Sequence, residues 1–166
     1  MLLNRNLTIK RIYCLGFIIC CGLLIASFYF EFVKDLAPCS LCILQRVTVM
    51  VMGLILLIAL FHKPKAFGYK IYSTLISLSA LAGVLIAGRQ VWLQYVPSAQ
   101  PSSCGAGLTY MLKNLPLSQT LNLVFQGSGE CDQITWQFLG LSMAAWMLII
   151  FTGLSVLFIS QIFRKA

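Results

Sequence analysis

Charged side chains are scarce in this sequence. Twelve Lys and Arg and four Asp and Glu amount to 10% of 166 residues, where an ordinary globular domain carries about 25%. Sixty per cent of the residues are hydrophobic, and this composition is not that of a soluble domain. Histidine is nearly absent, His62 being the only one, and no second C-x-x-C accompanies the one at Cys39 and Cys42. A structural zinc site needs four Cys or His ligands. Cys104 and Cys131 complete a set of four only by number, and His62 is expected on the opposite side of the membrane, so no metal is expected. A cleavage signal is also missing. The first apolar run follows Arg5, Lys10 and Arg11, as the core of a signal peptide would. It is longer than such a core, and only Phe28-Tyr29-Phe30-Glu31 stands where an A-x-A-like site belongs. The run is therefore expected to remain as a first span.

Four apolar stretches are present: 12–30, 43–61, 71 to about 96, and 138–160. As a helix the first reaches roughly 28 Å, close to the thickness of a bilayer's hydrocarbon core. The first and fourth contain no charge, while the second and third hold one arginine each, Arg46 and Arg89, near an end. With no water in the bilayer, such segments must satisfy their own backbone groups as helices. The expected fold is a single all-α membrane domain over 1–166, a four-transmembrane-helix bundle. Eight of the twelve basic residues (Arg5, Lys10, Arg11, Lys63, Lys65, Lys70, Arg164 and Lys165) fall in 1–11, 62–70 and 161–166. All four acids, Glu31, Asp35, Glu130 and Asp132, fall on the other side. The positive-inside rule therefore places both termini and the middle loop in the cytoplasm, with outer loops at about 31–42 and 97–137. The net charge of +8 is this asymmetry, and it calls for membrane lipid and not for nucleic acid.

Of seven cysteines, Cys14, Cys20 and Cys21 lie inside the first span, where thiols pack as small hydrophobes. The other four, Cys39, Cys42, Cys104 and Cys131, all fall in the outer loops. Outside a bacterial inner membrane disulfides form and persist. Four cysteines allow three pairings, of which one keeps each bridge within its own loop. Cys39-Ser40-Leu41-Cys42 follows Pro38 and immediately precedes the second span. Cys42 is thus expected in a first helical turn, where free N–H groups and the helix dipole favour a thiolate. That species both attacks and leaves in thiol–disulfide exchange. Arg46 stands four residues on, one turn deeper on the same face. It is either an anchor reaching for the interface or a cation serving the thiolate and a small acceptor. Arg89, near the end of the third span, reads as an anchor. A purely structural pair of bridges is the competing reading, but a three-residue spacing closes too small a loop to restrain the unfolded chain much.

In the second outer loop Leu108, Met111, Leu112 and Leu115 recur at helical spacing, and Leu117, Leu121, Val124 and Phe125 do so again after Pro116. These read as short amphipathic helices that lie in the interface or pack on the bundle, with Lys113 toward water. Cys104 follows Pro101-Ser102-Ser103 and Cys131 follows Gly127-Ser128-Gly129-Glu130. Such settings suit a disulfide that a visiting protein attacks.

Taken together these residues resemble the bacterial disulfide bond formation protein B (DsbB) family over nearly the whole chain. The likeness rests on Pro38-Cys39-Ser40-Leu41-Cys42-Ile43-Leu44-Gln45-Arg46, Val91-Trp92-Leu93-Gln94 and Pro101 three residues before Cys104. It continues through Gly129-Glu130-Cys131 and Trp136-Gln137-Phe138-Leu139-Gly140-Leu141. The resemblance implies a quinone-dependent thiol oxidoreductase of the bacterial inner membrane. In it a reduced periplasmic oxidase of thioredoxin fold (DsbA-like) attacks Cys104 of a Cys104–Cys131 disulfide. The Cys39–Cys42 pair reoxidises that disulfide, and electrons leave Cys42 for ubiquinone or menaquinone. Arg46, Arg89 and Gln90 would stand at the quinone. Gln90 departs from the family, many of whose members carry His there; a glutamine donates a hydrogen bond but no proton near neutral pH. The alternatives are a specialised paralogue with its own partner, an enzyme of the vitamin K epoxide reductase type, or a four-span scaffold with structural bridges.

Overall fold

The computed structural model describes residues 2–35, 38–62, 66–96, 116, 119 and 136–163, with side chains from Ile9 onward. Cys104, Cys131 and the short helices expected in 97–137 lie outside these residues, as do Lys63, Lys65, Arg164 and Lys165. Four long helices run through the described chain: α1 (Leu2–Phe32), α2 (Ser40–His62), α3 (Ala66–Tyr95) and α4 (Met143–Phe163). All four are long and apolar enough to cross a membrane. They pack as an antiparallel bundle in which α2 contacts α1 and α3, and α3 contacts α4 most extensively. This is the expected four-helix membrane architecture.

The helices outrun the apolar stretches because polar residues at a membrane surface extend a helix at no cost in hydrocarbon. Two ends differ from expectation. Helix α3 stops at Tyr95 rather than Val96, since the residue before Pro97 is pushed out of the helical region. The fourth span begins at Met143 rather than Phe138. Residues 137–142 instead form a small antiparallel hairpin of β1 (Gln137–Phe138) and β2 (Leu141–Ser142), pairing Gln137 with Ser142 and Phe138 with Leu141. Its two turn residues, Leu139 and Gly140, both have positive φ, 54° and 77°, as a tight two-residue hairpin turn requires. Ser142 then starts α4 by accepting the Ala145 N–H at 3.3 Å on its Oγ, the usual work of an N-cap serine.

The inner faces of the helices share one apolar core that includes Tyr13, Met52, Leu56, Ile76, Phe151 and Phe158. Tyr13 spans the bundle: its ring meets Phe158 edge-on at 5.6 Å, and its hydroxyl reaches Ser73 Oγ at 2.7 Å. The outward faces are equally apolar, with Leu85 72% and Val156 63% exposed. In water they would make an unfavourable patch, whereas lipid chains solvate them. Association of such helices relies on close packing, and small residues set the approach. A methyl group on Gly83 would fall 2.5 Å from the ring of the fully buried Phe151. Gly83→Ala is therefore expected to push α3 from α4 and cost about 1–3 kcal/mol of stability. Reversible unfolding in detergent micelles checks this, and an unchanged midpoint would mean that Phe151 gives way freely.

Candidate functional site

The C-terminal ends of α1 and α3 and the N-terminal ends of α2 and α4 meet at one end of the bundle. There the chain has just passed Pro38, and Cys39 occupies the position before α2. The first helical hydrogen bond runs from Ile43 N to Cys39 O at 3.1 Å. The Cys42 N–H turns to Cys39 Sγ at 3.4 Å, so Cys39 caps the helix with its sulfur. This alters one expectation. Cys42 does sit in the first turn, but the free N–H groups there act on Cys39. A cap side chain folds back over the first turn, while the third helical residue points sideways from it. The helix dipole thus supports negative charge on Cys39 most directly.

Cys39 Sγ approaches Cys42 Sγ at 2.9 Å. Cys39 is buried and Cys42 half-buried. Across from them on α3, the Gln90 Nε2 group donates to Cys42 Sγ at 3.2 Å and to Cys39 Sγ at 3.5 Å. Gln90 Oε1 accepts from Gln45 Nε2 at 2.7 Å. Both glutamines are buried, at 4% exposure each. Gln45 and the two sulfurs satisfy both ends of the Gln90 amide, which is the condition for keeping such a group out of water.

Beside the thiols lies an apolar cavity of about 290 Å³, near the lower end of small-molecule sites. Leu23 and Phe30 of α1, Val49 of α2, Phe138 of the hairpin, and Trp146 and Ile150 of α4 give its walls. Ser27, Cys42, Gln45, Arg46 and Gln90 are the polar residues along it, with Trp136 and Trp146 among the aromatic ones. The hairpin wall is held by aromatic stacking, with Trp136 against Phe30 at 4.9 Å and against Phe138 at 5.9 Å. Trp146 Nε1 also donates to Phe138 O at 3.1 Å. These contacts tie 136–142 to α1 and α4, and the hairpin closes the side of the bundle beside the cysteines.

Arg46 lines the same cavity as Cys42, as its four-residue spacing suggests. Its hydrogen bonds run to α1: Nε donates to Ser27 Oγ at 3.0 Å, and Nη1 pairs with Glu31 Oε2. The guanidinium also lies over the Phe28 ring at 4.8 Å. Arg89, grouped with Gln90 by sequence, is half-buried and is not among the residues lining the cavity. One residue along a helix is about 100° of turn, which separates it from Gln90. Glu31, Ser27 and Gln45 were not singled out beforehand. Gln45 carries a legible signal, lying three residues from Cys42 on the same helical face. Glu31 carries a weaker one, as an acid bordering an uncharged span.

The Arg46–Glu31 pair leaves neither side chain fully buried, at 13% and 28% exposure. Glu31→Gln is expected to lower stability by on the order of 1–2 kcal/mol. That is below the cost of breaking a fully buried pair, because water still reaches Glu31. Thermal unfolding in detergent checks this, and an unaltered transition would mean that the guanidinium repacks without its carboxylate.

Four membrane-length helices set a C-x-x-C pair against an apolar cavity, an arrangement suited to thiol–disulfide chemistry at a membrane. The family model for disulfide bond formation protein DsbB matches residues 9–161. Disulfide bond formation protein B of Nitrosococcus oceani is 46% identical over 159 residues, covering 96% of this chain and 94% of its own. The proteins of that name from Methylococcus capsulatus and Marinobacter nauticus are 44% and 42% identical, covering 92% and 96% of this chain and 93% and 95% of theirs. The chain belongs to the DsbB family of disulfide bond formation proteins.

Proposed function

We propose that this chain generates disulfides in a periplasmic dithiol oxidase of thioredoxin fold and passes the electrons to a membrane quinone. The observation that carries this reading is the placement of Cys42, whose sulfur lines the apolar cavity while remaining in contact with Cys39. Exchange among cysteines moves disulfides but makes none, so net oxidation needs an external two-electron acceptor. A bound quinone supplies a sink for two electrons and two protons.

The residues present suit such a group. The walls are largely aliphatic and aromatic, matching a planar ring with a hydrocarbon tail, and Cys42, Gln45, Arg46 and Gln90 add polar groups to them. Arg46 would hold the polar edge of the ring. Oxidation of Cys39 and Cys42 releases two protons and two electrons as one sulfur–sulfur bond forms. The reverse exchange with the Cys104/Cys131 pair consumes that bond and restores the other disulfide, which in turn oxidises the partner. The site end of the bundle then faces the periplasm of the inner membrane, and both termini face the cytoplasm, in keeping with the basic residues of 1–11, 62–70 and 161–166.

This reading differs from a scaffold with structural bridges in one cheap observation. In membranes, alkylation of free thiols is expected to find the Cys39/Cys42 pair changing between oxidised and reduced as an added reductant rises and is removed. A pair that stays in one state under both conditions would favour the scaffold.

A further inference from the structure

We infer that Gln90 is a catalytic residue that stabilises a thiolate on either sulfur of the C-x-x-C pair, and that Gln45 is the positioning residue that keeps its amide turned to do so. The inference rests on the proposed dithiol oxidation and assigns Gln90 to the sulfurs, where the family resemblance had put it at the quinone. One amide nitrogen carries two N–H groups, and Gln90 Nε2 lies 3.2 Å from Cys42 Sγ and 3.5 Å from Cys39 Sγ. Its oxygen is engaged by Gln45 Nε2 at 2.7 Å. A flipped Gln90 would point its oxygen at the sulfurs and its nitrogen at another nitrogen. With Gln45 Nε2 in this orientation, the hydrogen bond it donates favours the Gln90 amide that presents donors to the thiols.

The arrangement treats the two sulfurs nearly alike. A thiolate on Cys39 has the Cys42 N–H and Gln90 as donors. A thiolate on Cys42 has Gln90 and the Cys39 thiol. Negative charge can thus pass between the positions without leaving either one undonated. Gln90 supplies this without a proton of its own to lose near neutral pH. Among the described residues the charged neighbours are few. Glu31 at the end of α1 is paired with Arg46 of α2, Arg89 stands beside Gln90 on α3, and Lys34 and Asp35 are exposed past α1. Helix α4 has no ionisable side chain between Met143 and Phe163. A donor fixed at the sulfurs is accordingly expected to dominate their acidity.

The test is the pH dependence of iodoacetamide labelling of the reduced full-length protein in detergent, resolved by mass spectrometry for the peptide holding Cys39 and Cys42. Gln90→Met removes both donors, and the midpoint of labelling is expected to rise by roughly one to two pH units. Gln90→Glu keeps the shape but sets a carboxylate against the sulfurs, and its midpoint is expected to rise at least as far. Gln45→Met frees the Gln90 amide to rotate, for a smaller rise. Thermal unfolding measured alongside identifies any variant that does not fold; if Gln90→Met is one, the other two carry the test. Folded Gln90 variants with the midpoint of the unaltered protein would overturn the assignment, and a rise for Gln90 without one for Gln45 would overturn the positioning role. The assay uses neither quinone nor partner. A null result therefore leaves the proposed function standing, and a failure of quinone reduction leaves this assignment untouched.

Discussion

Cys42→Ser is expected to leave the protein folded and its cavity able to take a quinone, while partner-dependent quinone reduction falls by at least roughly 10³-fold, to background. Cys42 is half-buried, and serine is slightly smaller with the same branching, so the site loses little packing. Cys39 remains to cap α2. The chemistry, in contrast, is lost. A hydroxyl forms no disulfide and is not appreciably ionised near neutral pH, so the sulfur nearest the cavity has no substitute. Equilibrium binding of a quinone analogue, measured with turnover on the same preparation, separates the two effects. Retained turnover would show that electrons leave by another group, and lost binding would show that Cys42 shapes the cavity as well as reacting.

The second large effect concerns the other pair. Cys104→Ser is expected to abolish the mixed disulfide with the reduced partner and to stop turnover, while the reaction of the Cys39/Cys42 dithiol with quinone continues in a single turnover. The division follows from chemistry and placement. Cys42 opens on an apolar cavity that suits a lipid-soluble acceptor, and Cys39 is buried at 5% exposure. Neither arrangement offers a folded partner protein an accessible sulfur, so exchange with the partner is assigned to Cys104 and Cys131, whose sequence neighbours are rich in Ser and Gly. Non-reducing electrophoresis reads the mixed disulfide, and stopped-flow absorbance reads the single turnover. Loss of both activities would mean that the pairs act as one unit and not in series.

Much of this architecture is written in the one-dimensional pattern, because a bilayer imposes a length and a polarity that few other constraints rival. Uninterrupted apolar runs marked α1 and α4, and solitary arginines near the ends of α2 and α3 did not obscure them. The start of α4 was hidden by Phe138, Leu139 and Leu141, which are apolar enough to read as span. Ser142 was the visible cue to its N-terminus, and Gly140 was the cue to the turn before it. Both local signals were outweighed by hydropathy. The site was legible along α2, where Cys39, Cys42, Gln45 and Arg46 share a motif. It was illegible across the bundle. Which residue on α1 receives Arg46, and which face of α3 meets the cysteines, depends on how the helices cross. Gln90 and Arg89 are neighbours in sequence, yet only the first lines the cavity. The cap position at the start of α2 decides that Cys39, and not Cys42, takes the helix-terminal N–H.

In the proposed mechanism, electrons leave the protein at the cavity beside Cys42. The most direct test is quinone reduction by the purified, full-length protein supplied with a reduced thioredoxin-fold partner, run with ubiquinone and with menaquinone. One quinone reduced for each partner disulfide formed, with at least one of the two quinones, is the expected result. Partner oxidation at an undiminished rate without quinone, or no reduction of either quinone, would contradict the claim.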